Sequence, residues 1–331
     1  MAKFRSFILL FIVLLSLSLS SGCGRSKDSQ SEGRSGRLIV VATLFPLYDF
    51  ARNIAGDRAD VKLLLPPGAE PHSFEPKPAD IVMLNRADIF IYTNKFMEPW
   101  AEKLLKGRGG KELSVVDASH SVRFIEGSID GAEGGNQQQH RKSVKKEDDA
   151  EHEVQSADPH IWLDFSNAQQ IVDNIAKAFI AKDPANKDSY TRNAGAYKTR
   201  LEGLDSAYQK GLSNCRKKVF VSGGHYTFGY LADRYGLRYR AAYGFSPDAE
   251  PTARNLADIS KTLRQEGLNH LFYEELLTPR IADTLAKETG ATLLKLHGSH
   301  NISKEEFNAN RTFVELMERN LDNLMTGLQC R

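Results

Sequence analysis

The stretch Ser189-Tyr190-Thr191-Arg192-Asn193-Ala194-Gly195-Ala196-Tyr197-Lys198-Thr199-Arg200-Leu201-Glu202-Gly203-Leu204-Asp205-Ser206-Ala207-Tyr208-Gln209-Lys210-Gly211-Leu212 decides how the chain is organised. It runs without a proline, and Tyr190, Tyr197, Leu201, Leu204 and Tyr208 recur near helical spacing. A helix of this length spans about 35 Å at about 1.5 Å per residue, enough to cross a whole domain. We read it as a rigid connector between the two halves of the chain on either side of it.

In both halves, apolar strand patterns alternate with helical ones. Before the connector, strands are expected at 38–43 (LIVVAT), 61–65, 89–92 and 113–116. Helices are expected from Pro46 to Gly56, over 79–84 and over 100–105. A capping box at Ser166 and Gln169 opens another helix, with Ile171, Ile175 and Phe179 as its stripe. After the connector, strands are expected at 219–222, 237–243, 271–273 and 292–296. Helices are expected over 228–235, 252–266 and 279–289, and a last one, capped by Ser303 and Glu306, runs to about Leu324. This alternation predicts an α/β protein of two Rossmann-like lobes with parallel sheets. Ligands in such folds sit at the carboxyl ends of strands, here in the cleft between the lobes.

The same signals divide the chain into domains. Residues 1–22 read as an export signal, with Lys3 and Arg5 before an apolar core too short to span a membrane. Cys23, after small residues, is expected to be lipidated, and 23–36 to be a flexible tether. The N-terminal lobe takes 37–184, the connecting helix 185–213 and the C-terminal lobe 214–331. Within the first lobe, 126–157 is rich in Gly, Gln, Lys, Asp and Glu and reads as a long mobile loop. Export makes Cys215 and Cys330 a disulfide candidate. The net charge of +2 comes from Lys3 and Arg5, so no basic field argues for nucleic acid.

Five of the twelve prolines crowd into residues 66–78, around His72. Proline fixes φ and removes a donor, so this is a stiff loop that positions something. His160 lies in Asp158-Pro159-His160, His225 follows a strand at Gly223-Gly224-His225, and His297 follows the apolar run 292–296. Two histidines from each lobe, at strand exits or tight turns, would supply an interlobe site. Four nitrogen donors suit tetrahedral Zn²⁺. The bland reading is four separate loop histidines, three of them hydrogen-bonded to backbone. His300, His140, His152 and Glu274 are auxiliary candidates. Glu274-Glu275 reads as a helix start, as a carboxylate orienting a histidine, or as a general base. No Walker-type glycine motif is present, and Gly223-Gly224 has no nucleophile motif beside it.

Three segments carry a family resemblance: Gly68-Ala69-Glu70-Pro71-His72-Ser73-Phe74-Glu75-Pro76, Asp158-Pro159-His160-Ile161-Trp162-Leu163-Asp164, and His225-Tyr226-Thr227-Phe228-Gly229-Tyr230-Leu231 with Tyr235-Gly236-Leu237. Together with Pro247-Asp248-Ala249-Glu250-Pro251-Thr252, the chain resembles the zinc- and manganese-binding receptors of ABC-type uptake transporters. The resemblance implies two α/β lobes bridged by a long helix, and metal ligands at His72, His160 and His225. The family's fourth ligand is usually an acid. The matching place here is read as His297, with His300 or water as alternatives. The zinc members often carry a His-rich loop before the second ligand. Here it is thin, with His140 and His152.

The expected function is capture of a divalent metal outside the cytoplasm, most like the zinc members, and delivery to an ABC permease by a monomer that is periplasmic or lipid-anchored. Binding should weaken as imidazoles protonate. The alternatives are a Mn²⁺ receptor, favoured by a carboxylate fourth donor, and a surface adhesin. A secreted zinc hydrolase using Glu274 or Glu275 ranks lower, because no His-Glu-x-x-His helix is present.

Overall fold

The connector is a single helix from Lys187 to Ser213 in the computed structural model. Its buried residues Tyr190, Ala194, Tyr197, Leu201, Leu204, Tyr208 and Leu212 fall three or four apart, forming one apolar stripe. Tyr197 Oη donates to Asp49 and Tyr208 Oη donates to the carbonyl of Met317, so the two phenols anchor the helix at opposite ends of the chain. The structure describes residues 37–107, 109, 112–125, 143–144, 157–245, 251–276 and 279–331. Leu38–Arg331 is one compact unit.

The first sheet holds β1 (Leu38–Ala42), β2 (Ala59–Leu63), β3 (Ile89–Tyr92) and β4 (Ser114–Asp117), all parallel, in the order β2-β1-β3-β4. Its helices are α1 (Phe45–Ala55), α2 (Pro78–Arg86) and α3 (Ala101–Lys106), followed by α4 (Phe165–Lys182). A two-residue strand β5 (Phe124–Ile125) pairs antiparallel with β6 (Ser143–Val144). The connector is α5. The second sheet holds β7 (Val219–Ser222), β8 (Arg238–Ala241), β9 (His270–Tyr273) and β10 (Thr292–Lys295), also parallel, in the order β10-β9-β7-β8. Read from the other edge, the two orders are the same. Its helices are α6 (Gly229–Arg234), α7 (Ala253–Gln265), α8 (Arg280–Thr289), α9 (Lys304–Asn308) and α10 (Phe313–Gly327).

One core runs through both lobes. It joins Val40 and Ala42 of β1 to α1, α4, α5 and α10, and continues to Phe220 and Phe272 of the second sheet. Smaller cores fill the outer faces, around Phe90 and Trp100 in one lobe and around Val221 and Leu263 in the other. Asp49 of α1, fully buried, accepts from Tyr197 of α5 and from the Phe313 N–H that opens α10, and it pairs with Arg52.

Several local expectations change. β2 begins at Ala59 rather than Val61, because its register pairs Leu38 with Ala59. The cap of α4 is Asp164, whose carboxylate accepts from Ser166 N–H, not a Ser166–Gln169 box. The last helix is two helices. Ser303–Glu306 boxes α9, the chain breaks at Asn310 (φ 53°), and a second box at Thr312–Glu315 opens α10. Of the segment 126–157 expected as a loop, only 143–144 and 157 are described. Cys215 and Cys330 are joined in a disulfide that ties the C-terminus to the turn before β7. Cys23, His140 and His152 lie outside the described residues. Among the described residues no helix is long and apolar enough to cross a membrane.

Candidate metal centre

Four histidines meet where the carboxyl ends of both sheets face each other. His72, His160, His225 and His300 each offer a nitrogen, and these atoms lie within 4.8 Å of one another. The six ring-centroid separations run from 5.1 to 6.2 Å. His160 Nε2 and His225 Nε2 stand 3.3 Å apart. Two nitrogens each about 2.0–2.1 Å from one tetrahedral zinc would stand about 3.3–3.4 Å apart, so this pair already has the required separation. His72 Nε2 and His300 Nδ1 are buried without a hydrogen-bond partner. A buried polar atom left so is costly unless something binds it. The donor set and its unpaired nitrogens therefore fit a small cation.

Each histidine is placed by local chemistry. His72 sits on the proline loop that leaves β2. Its N–H donates to Glu70, and Trp100 Nε1–H donates to the carbonyl of Pro71 beside it. His160 follows Asp158-Pro159 and leads into a 3₁₀ turn at Ile161–Leu163. Asp158 Oδ1 accepts from His160 N–H and stands 2.8 Å from its Nδ1. His225 leaves β7 after two glycines, with Glu274 Oε2, from the end of β9, 2.6 Å from its Nδ1. A Cβ on Gly224 would collide with Glu274 Oε1, so only glycine lets the carboxylate come this close. His300 leaves β10, with its Nδ1 3.7 Å from Glu275.

Burial keeps most of these rings neutral. Desolvation, helped by His225, lowers the His72 pKa to about 3. Desolvation with neighbouring imidazoles holds His160 and His300 well below the usual range. His225 goes the other way: burial alone would lower it, but the carboxylates of Glu274, Glu70 and Glu275 together outweigh burial and raise it. Burial pushes Asp158 up to about 8, against the opposing pull of its His160 bond and of His225. A divalent cation among the rings would reverse that balance.

His300 lies in this cluster of nitrogens, and His297 lies outside it. His297 is also buried, but its nitrogens are taken. Nδ1 accepts from Ser299 N–H and stands 3.2 Å from Glu275, while Nε2 stands 3.4 Å from Glu306. That pairing holds the Glu306 carboxylate down to about 2. Glu274 stands behind His225 rather than among the nitrogens facing the centre. Asp158 was not expected to brace the site, whereas Glu275 falls within the reading of Glu274-Glu275 as a carboxylate that orients a histidine. The signal for Glu275 lay in the Glu-Glu pair after a strand, and that for Asp158 in its place two residues before a candidate ligand.

Two parallel-sheet lobes on one long helix, with a buried tetra-imidazole cluster between them, define a metal-binding protein of the two-lobed receptor type. The chain belongs to the ZnuA family, described as zinc-uptake complex component A, periplasmic, which it matches over residues 40–327. The high-affinity zinc uptake system protein ZnuA of Bacillus subtilis (strain 168) is 35% identical over 320 residues, covering 96% of this chain and 97% of that protein. The zinc-binding lipoprotein AdcA of Streptococcus pneumoniae is 34% identical over 309 residues, which are 93% of this chain but only 59% of AdcA. Among solved structures, the Zn(II)-bound ZnuA-like domain of that AdcA superposes with a TM-score of 0.71 at 33% identity, covering 88% of this chain and 99% of the domain. The laminin-binding protein Lmb of Streptococcus agalactiae, described as bifunctional with adhesin and metal-transporting activity, gives 0.74 at 30% identity, covering 88% of this chain and 99% of Lmb.

Proposed function

We propose that this protein is an extracytoplasmic receptor that captures Zn²⁺ on His72, His160, His225 and His300 and delivers it to an ABC-type permease, catalysing no reaction itself. The observation that carries this reading is the convergence of four imidazoles on one point, two of them already at zinc-ligand separation. Nitrogen donors favour Zn²⁺, whereas Mn²⁺ prefers more oxygen. The receptor works as a monomer held to a membrane by a lipid on Cys23, after removal of residues 1–22, with 23–36 as tether. Its lobes occupy 37–184 and 214–331 and its connector 185–213. Likeness to a zinc-binding lipoprotein supports the anchor.

Competition between Zn²⁺ and Mn²⁺ for the purified protein tests the reading. Zinc is expected to stay bound under excess Mn²⁺, and displacement by comparable Mn²⁺ would sink it. The pH dependence is specific as well. His72, His160 and His300 are held neutral far below neutral pH, so protons compete with zinc mainly at His225 and through Asp158, whose raised carboxyl the cation would deprotonate. Affinity should weaken as the pH falls from about 7.5 to about 5, because these protons must leave on binding, and with the slope of one to two protons rather than four. A flat profile, or a four-proton slope, would remove this account.

A further inference from the structure

By sequence, His72 and His160 belong to the first lobe and His225 and His300 to the second. The hydrogen bonds divide them differently. Of residues 298–302, which leave β10 of the second lobe, all but Ser299 are hydrogen-bonded to the first lobe. Trp162 Nε1–H donates to the Gly298 carbonyl at 2.8 Å. Phe45 N–H, at the start of α1, donates to the His300 carbonyl at 3.3 Å. The Asn301 side-chain amide donates to the carbonyls of both Pro66 (2.8 Å) and Ala69 (2.7 Å). Gly68 N–H donates to the Ile302 carbonyl at 2.8 Å. Asn301 is fully buried, and its own oxygen accepts from Ile302 N–H. Gly68 has φ +88°, a conformation that aims its N–H at residue 302 and that a side chain would strain. The loop carrying His72 and the loop carrying His300 are thus stitched together at residues 66–69 and 301–302.

We infer that Asn301 is a positioning residue that transfers His300 to the first lobe. His72, His160 and His300 form one preassembled face, and His225, braced by Glu274, is the single donor that the second lobe brings to the metal or withdraws from it. Metal exchange then breaks one bond across the cleft instead of two. Among the described residues the attachments to the second lobe are fewer: within 298–302, Glu275 accepts from the N–H groups of Gly298 and Ser299, Ser299 N–H also reaches His297 Nδ1, and His300 Nδ1 stands 3.7 Å from Glu275. The hydrogen bonds act as a pivot on which the strap turns, because they hold Gly298 and Ser299 only. The inference rests on the zinc-site reading proposed above.

The test is a double-mutant cycle on zinc dissociation from the purified protein, followed with a chromophoric chelator. Asn301→Ala should speed zinc release by about tenfold, the lower end of what losing an outer partner of a ligand costs. In a His300→Ala background the same substitution should change release by less than about threefold, because the residue it positions is gone. Equal fold-changes in both backgrounds, or no change in the first, would overturn the proposal, since a loss of general stability would act alike in both. If Asn301→Ala does not fold, amide hydrogen exchange on the wild-type protein decides. Gly68 and Phe45 N–H should be protected and should open together. Exchange of either at the rate of a free amide overturns the strap. If the wild type binds no zinc, the site reading fails while the exchange result still judges the strap.

Discussion

The two sheets share a strand order, and each buries a glutamate just beyond its third strand, yet the two acids do opposite work. In the first lobe Glu98 follows β3. It accepts from the Thr43 hydroxyl beyond β1, from the Thr93 hydroxyl and N–H, and from Asn94 N–H. In the second lobe Glu274 follows β9 and stands against His225, the residue that follows β7 and its two glycines. Glu98, six residues past β3, ties strand exits to each other, whereas Glu274, directly after β9, turns towards a histidine of the cluster. One topology therefore gives one strand end closed on its own neighbours and one that faces the histidine cluster. What differs is the residue beyond the first strand of the sheet: a threonine in one lobe and Gly-Gly-His in the other.

That contrast can be broken, and the largest effect should come from the ligand itself. His225→Ala removes one of four donors. A quarter of a zinc-binding free energy of about 10–16 kcal/mol is about 3–4 kcal/mol, or on the order of a hundredfold to a thousandfold in affinity. Calorimetry or chelator competition reads it, and an unchanged affinity would place the site elsewhere.

Next comes Glu98, whose burial raises its pKa from 4.5 to about 7 despite its hydrogen bonds. The folded state thus holds the proton more tightly than the unfolded chain. The stability this contributes is fully present below pH 4.5 and is lost as the pH rises through about 7. At about 1.4 kcal/mol for each pH unit of that interval, the loss is about 3 kcal/mol. Glu98→Gln should remove it, so denaturant unfolding of wild type and variant should diverge between about pH 4.5 and about pH 8, without a comparable change in zinc binding. Parallel curves would mean that Glu98 is not the closed counterpart described here.

Glu274→Gln should lower zinc affinity by about 10–100-fold, because the amide cannot hold and polarise His225 as a carboxylate does. A Co²⁺-loaded sample should shift its visible spectrum in parallel. Wild-type affinity and spectrum in this variant would reduce Glu274 to a packing residue. The smallest effect belongs to His297→Ala, which should change zinc affinity by less than about tenfold, since it acts only through outer partners. A loss as large as that of His225→Ala would restore His297 to the ligand set.

Much of the fold was legible in the sequence because its signals are local. The proline-free stripe of α5, the alternating strands and helices, and glycine stops such as Gly290 in its left-handed turn each depend on a few neighbouring residues. The errors came where a longer range intervened. β2 slid to match β1, and Asp164 displaced the expected cap because it also meets Arg123 and Arg234. Splitting the last helix was within reach, since Thr312–Glu315 carries its own capping box.

The site divides in the same way. His72, His160 and His225 stand out in the sequence as candidates, because prolines, glycines and strand ends mark them. The long helix and the two sheets are written there too. Which of His297 and His300, three residues apart on one loop, joins the cluster of nitrogens was decided by the fold. It depends on Glu306 and Glu275 engaging the first ring and on Trp162, Phe45 and Asn301 drawing the second towards the other lobe. Of those partners, Glu275, Trp162 and Phe45 lie far away along the chain, and Asn301, though adjacent, acts through the equally distant Pro66 and Ala69. A ligand's type is written locally, but which nitrogen is left free is set by hydrogen bonds between segments that meet only in the folded protein.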